Sequence, residues 1–145
     1  MPFEINIPPL AGQITNAYIT EVGGVTPINV INANQDFAAN LEWQLCGFLV
    51  QFLSGHWRIR LLLESMGPTE EYSLPLGGKT VPLPNGVVCP GNPNCTCWET
   101  DIPVTAGTVE PGLYKAVIAL TYESVLGVPG PMAGFAELGM VQIYA

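Results

Sequence analysis

The sequence predicts an all-β fold, an antiparallel β-sandwich, and three observations carry that prediction. Glycine and proline together supply 30 of 145 residues, 16 and 14 respectively, and they interrupt almost every window long enough to hold an amphipathic helix. Several segments instead alternate apolar and polar side chains with a period of two, the spacing at which one face of a strand is buried. Turn signals recur between those segments, as Asn34-Gln35-Asp36, Gly67-Pro68, Gly77-Gly78, Pro84-Asn85-Gly86 and Glu110-Pro111-Gly112, so about seven short strands are expected. At 145 residues and 48% apolar, the chain is one domain, able to bury roughly 68–70% of its unfolded surface.

The strands follow in order. Residues 1–24 read as an N-terminal arm or an extra edge strand, because Phe3, Ile5 and Ile7 alternate before Pro8-Pro9 and Ala17 to Thr20 suit a short strand. The sandwich proper spans residues 25–145. Residues 27–33 form a weak strand. Residues 37–45 place Phe37, Ala39, Leu41, Trp43 and Leu45 on one face, and 56–64 place Trp57, Ile59, Leu61 and Leu63 inward with Arg58, Arg60 and Glu64 outward. Weaker strands cover 70–76, 79–83, 97–105 and 137–144, with Pro75, Pro82 and Pro103 assigning them to edges or strand ends. Residues 113–122 turn Tyr114, Ala116, Ile118, Leu120 and Tyr122 to one side. The expected core is therefore Trp43, Trp57, Ile59, Leu61, Ile102, Tyr114, Ala116, Ile118 and Leu120.

The order of these features resembles an immunoglobulin-like or fibronectin-like sandwich of the kind found in bacterial modules. Cys46 is followed eleven residues later by the inward Trp57, as in the second and third strands of that fold. The run from Glu110 to Ala116 is similar to its E–F corner, with Tyr114 in the tyrosine-corner position. The sequence departs from the antibody pattern at Ala116, which stands where the second core cysteine would be. The resemblance implies an architecture and no particular activity.

Charge and motifs exclude several function classes. Four Lys plus Arg against twelve Asp plus Glu give a net charge of −8, which is the wrong sign for a nucleic-acid partner. No run approaches the ~20 apolar residues of a membrane helix, and the start, with Glu4 and Pro8-Pro9, has no signal-peptide pattern. No cofactor is expected, since no Gly-rich phosphate motif opens a helix and no calcium-loop series of aspartates occurs. The single histidine, His56, reads as a strand-start surface residue. An enzyme reading would need His56, Cys97 or a carboxylate to work in a pocket.

The four cysteines form the most informative local cluster. Cys89, Cys95 and Cys97 are spaced C-x5-C-x-C with Cys46 apart, lacking the C-x2-C knuckle of a structural zinc site. Disulfides are expected, which implies an extracytoplasmic site although no leader is visible. In the immunoglobulin-like order the end of the second strand lies beside the start of the fifth, so that order implies the pairs Cys46–Cys97 and Cys89–Cys95.

The same order gathers residues 46–56, 84–96 and 124–135 at one end of the sandwich. That pole is unusually apolar, carrying Phe48, Leu49, Phe52 and Leu53 on the first loop and Val125, Leu126, Val128 and Met132 on the third. If exposed, these side chains mark a contact with a protein partner or a second copy, such as a homodimer; folded back, they plug the core. The expected function is a non-catalytic binding or assembly module. Two alternatives stand beside it: a structural subunit joined through the N-terminal arm, and a small hydrolase-like enzyme with a pocket at the pole.

Overall fold

The computed structural model describes residues 2–5, 10–24 and 26–145. Among them are ten strands: β1 (Phe3–Ile5), β2 (Ala11–Glu21), β3 (Val30–Asn32), β4 (Phe37–Cys46), β5 (His56–Ser65), β6 (Tyr72–Pro82), β7 (Val87–Cys89), β8 (Asn92–Val104), β9 (Gly112–Glu123) and β10 (Pro129–Tyr144). They make two sheets, one ordered β2-β4-β8-β7 and the other β1-β10-β9-β5-β6 with β3 also on β10. Two short 3₁₀ turns, Phe48–Phe52 and Leu83–Asn85, complete the regular structure.

The expected all-β sandwich is thus present, with more strands than the alternation pattern suggested. The segments at 70–76 and 79–83 are one strand, β6, whose pairing with β5 jumps from Lys79 opposite Ile59 to Leu74 opposite Leu61. Residues 75–78 loop out between those pairs. At the far edge, β10 is 16 residues long and accepts two short strands end to end. β1 pairs antiparallel with Met132–Gly134, whereas β3 pairs parallel with Gln142–Tyr144. That parallel pair departs from the purely antiparallel expectation, and it arises because the chain reaches the β10 edge from β2 in the opposite sheet.

Residues 3–5 and 11–21 are hydrogen-bonded within the chain, on opposite sheets, and Ile14 and Ile19 of β2 are buried. The Ile7 position lies outside the described residues. Pro103 sits in β8 beyond the stretch that β7 covers, one residue before the strand ends.

Alternation explains the core. Every residue expected there is buried: Trp43, Trp57, Ile59, Leu61, Tyr114, Ala116, Ile118 and Leu120 show no exposed surface and Ile102 about 1%. Trp43 and Trp98 stand opposite each other on β4 and β8 and stack with centroids 6.2 Å apart. Trp57 comes from the facing sheet and meets them edge to face at 6.0 and 5.4 Å, an arrangement that aligns ring edges with ring faces. Trp98 donates its indole N–H to the Leu83 carbonyl at 3.0 Å, while the buried N–H groups of Trp43 and Trp57 have no oxygen or nitrogen partner. Both indoles belong to these edge-to-face pairs. At the opposite end Tyr114 donates its hydroxyl to the Glu110 carbonyl at 2.7 Å, and the Glu110 N–H is taken by the Tyr72 hydroxyl. This is the corner hydrogen bond that the position of Tyr114 suggested.

Because Trp57 touches Trp43, Trp98, Phe3 and Tyr122, no small set of neighbours can close the space it leaves. Trp57→Ala is expected to cost about 3–5 kcal/mol in a denaturant titration, with an unchanged slope.

Candidate functional site

The loops that follow β4, β6 and β9 converge at Gly55. Its amide carbonyl accepts the Leu83 N–H at 3.1 Å, and a Cβ at this position would collide with the Glu123 carbonyl oxygen. Its φ of +115° is also one that only glycine adopts readily. Tyr122 donates its hydroxyl to the Ser54 carbonyl, tying the same junction to the end of β9. The turn after β9 is closed by Ser124, whose hydroxyl accepts from the N–H groups of Leu126 and Val128 at 3.3 Å each.

The apolar residues of this pole divide into two groups. Phe48, Phe52, Val125 and Leu126 expose 65%, 71%, 70% and 86% of their surface, and Val128 is exposed beside them. Leu49 and Leu53 are half-buried and pack against the core with Val50. Met132 belongs with neither. The third loop ends at Val128, just before β10 begins, so Met132 lies in a strand pairing region and is buried, which corrects its expected place on a loop spanning 124–135. The hairpin β7–β8 contributes two exposed residues that the strand pattern did not single out, Val87 and Val88. A hydrophobic pair directly after Pro84-Asn85-Gly86 was the available signal.

Between the first 3₁₀ turn and the hairpin runs a groove of about 600 Å³. Phe48, Val50 and Leu53 line it from the first loop, Leu83, Pro84 and Val88 from the segment leading into β7 and from β7 itself, and Pro93, Thr96 and Trp98 from β8.

Two disulfides brace the groove from the outer face of the four-stranded sheet, Cys46–Cys95 and Cys89–Cys97. This corrects the pairing Cys46–Cys97 with Cys89–Cys95. β8 begins at Asn92, five residues before Cys97, so the register sets Cys46 opposite Cys95 with Cα atoms 4.0 Å apart and leaves Cys97 opposite Gln44. Cys97 instead lies opposite Val87 on the other side, within 5.1 Å (Cα) of Cys89. With every cysteine in a bridge, no thiolate remains for zinc or for a nucleophile. In the chain-entropy picture, closing 49 residues stabilises by roughly 4 kcal/mol and the shorter ring by about 2.5. Such bridges persist in oxidising compartments.

A polar cluster underlies the pole. Glu123, at the end of β9, is nearly buried, and its carboxylate accepts from Arg58 Nε at 2.9 Å and His56 Nε2 at 2.8 Å. The hydrogen bond and charge of Arg58 hold its pKa down at about 2 against burial, which pushes the other way, with His56 adding to the downward shift. Arg58 is raised in turn, first by its bond to Glu123, and it also donates to the Gly77 carbonyl. His56 is bonded to Glu123 and makes no hydrogen bond to a hydroxyl among the described residues. Glu123 was not legible from the sequence, because its partner is fixed by the β5–β9 register and not by its own neighbours. Among the described residues no group of three or more metal-binding side chains occurs, and no helix is long and apolar enough to cross a membrane.

No protein-family model and no curated protein matches this chain. Among solved structures it is similar to a Niemann-Pick type C2 protein from Japanese carpenter ant, at 9% identity and a TM-score of 0.41, over 91% of this chain and 92% of that one. A β-glucosidase from Listeria innocua is similar at 8% identity and a TM-score of 0.42, over 90% of this chain and 16% of that one. The Pseudomonas fluorescens alkylpurine DNA glycosylase AlkC follows at 15% and 0.32, covering 92% and 30%.

Two outcomes follow from this geometry. Partial reduction with cyanylation should recover Cys46 joined to Cys95 and Cys89 to Cys97, and any fragment linking Cys46 to Cys97 would contradict the register. Because Glu123 titrates lower in the folded chain than in the unfolded one, the stability it confers is complete above about pH 4.5 and fades as pH falls toward 2. The melting temperature of the wild type should therefore exceed that of Glu123→Gln at pH 6, with the gap closing across that window. Parallel curves from pH 6 to pH 2 would mean that the Arg58 pair contributes nothing.

Proposed function

We propose that this chain is a non-catalytic binding module with an immunoglobulin-like strand order, which engages the apolar surface of a protein partner through its loop pole. One observation carries the reading: Phe48, Phe52, Val125, Leu126 and Val128 stand largely in solvent at a single end of the sandwich, on loops pinned by Gly55 and the Cys46–Cys95 bridge. Exposed apolar side chains cost solubility unless something covers them, and clusters of this kind mark contact sites. Aromatic residues held on a rigid base lose little entropy on binding, which suits Phe48 and Phe52 to the role of anchors. The half-buried Leu49, Val50 and Leu53 act as the plug that fixes the base.

The immunoglobulin-like part of the reading is supported by the order β2-β4-β8-β7 in one sheet against β10-β9-β5-β6 in the other and by the Tyr114 corner bond. The two disulfides favour an extracytoplasmic location. A catalytic role is disfavoured, since His56 and Arg58 are both engaged by Glu123 and all four thiols are consumed.

The test is the double variant Phe52→Asp, Leu126→Asp, probed with the apolar dye anilinonaphthalene sulfonate. The wild type should give a clear fluorescence rise, and the variant should lose most of it while melting within about 5 °C of wild type, as surface changes do. Unchanged dye binding by a folded variant removes the pole from consideration. If the substitutions unfold the domain, these side chains are plug and not contact surface.

A further inference from the structure

We propose a second interaction surface, distinct from the pole: the outer face of the six-stranded sheet docks a second copy of this chain about a two-fold axis that crosses the strands at Leu62 and Val117. In an antiparallel sandwich the outer faces are expected to be polar. The four-stranded sheet obeys that rule with Asn40, Glu42, Gln44, Glu99 and Asp101 along the centre of its outer face. The six-stranded sheet breaks it. Leu62, Leu113, Val117, Ala119, Phe135 and Met140 all point away from the core, because their chain neighbours Leu61, Leu63, Tyr114, Ile118, Ala136 and Val141 are the buried ones.

Charge selects the occupant. At a net charge of −8, two copies repel over most of their surface, yet all four basic residues lie on strands of this one sheet, Arg58, Arg60 and Lys115 on its outer face and Lys79 opposite the inward Ile59, from where it reaches Asp101 of the other sheet. Three of them are already paired, with Glu123, Asp101 and Glu137. Arg60 has no ion partner among the described residues, and neither has Glu64 four residues along the same strand.

The register makes this face self-complementary. Arg60, Ala119 and Phe135 form one cross-strand row, Leu62, Val117 and Glu137 the next, and Glu64, Lys115 and Met140 a third. A two-fold axis along the middle row exchanges the outer two. It brings Arg60 opposite Glu64 of the second copy, Phe135 opposite its Met140, and Leu62, Val117 and Glu137 onto themselves, as an isologous interface requires; the two Glu137 carboxylates that meet on the axis are each offset by Lys115 of their own chain. Four strands at about 4.8 Å spacing and some ten residues of length offer roughly 600 Å² per copy, or about 1,200 Å² in all, the lower bound of stable specific interfaces.

Charge exchange tests the proposal, with sedimentation equilibrium as the readout and a melting curve as the check that each variant folds. The wild type should associate to twice its 15.5 kDa mass. Arg60→Glu and Glu64→Arg alone should each weaken association by about tenfold or more, and the two together should restore it to within about threefold. Should Arg60→Glu unfold, the exposed Glu64→Arg and the salt dependence of association carry the same test. A monomer at every concentration overturns the proposal, as does an association that neither swap alters or that the double swap leaves weak. The pole variant Phe52→Asp, Leu126→Asp should leave the dimer intact; its loss there, with the swaps silent, would move the self-contact to the pole and overturn this one.

Discussion

Three indoles packed between the two sheets set the geometry of everything at the loop end. Trp43 and Trp98 face each other across the β4–β8 ladder, and Trp57 enters from the opposite sheet to touch both. Their bulk leaves no room for a loop to fold deeply inward, so the segment after β4 can insert only Leu49, Val50 and Leu53 at the rim. Phe48 and Phe52, on the other side of the same 3₁₀ turn, are displaced into solvent. The exposed aromatic pair is in this sense a consequence of a filled core: close packing admits no further large side chain without strain.

The same cluster reaches outward through hydrogen bonds and covalent links. Trp98 holds the Leu83 carbonyl and with it the second 3₁₀ turn, whose neighbour Leu83 N–H is held by Gly55. Three residues further along the same ladder, on the outer face, Cys46 and Cys95 close its end. A loop tied at its base by a carbonyl bond, a disulfide and a glycine contact is preorganised, and preorganisation lowers the entropy lost on binding. On the other sheet the Arg58–Glu123–His56 cluster performs the corresponding task at the β5–β9 end. A nearly buried carboxylate is tolerated there because two donors satisfy it.

The two surfaces proposed for interaction differ in composition. The pole is rigid, apolar and poor in charge, suited to a partner that brings its own apolar patch. The outer face of the six-stranded sheet mixes aliphatic side chains with Arg58, Arg60 and Lys115, which suits it to a surface of the same composition. The outer face of the four-stranded sheet is polar and acidic along its centre, with Asn40, Glu42, Gln44, Glu99 and Asp101.

The sequence by itself determined the fold class, the facing of the strong strands and the whole expected core, because a period of two is a local property and burial of one face follows from it. Trp43, Trp57 and Tyr114 were legible for that reason. So was the position of the apolar pole, since loops after alternate strands of a sandwich must emerge at the same end. Tertiary structure decided what depends on registry between strands far apart in the chain: that Cys46 meets Cys95 and not Cys97, that Glu123 lies between Arg58 and His56, and that Met132 belongs to a strand. A slip of two residues in the β4–β8 ladder leaves every side chain on its own face, so the hydrophobic pattern is blind to it. Only the turn geometry and the packing of the three indoles distinguish one register from the next.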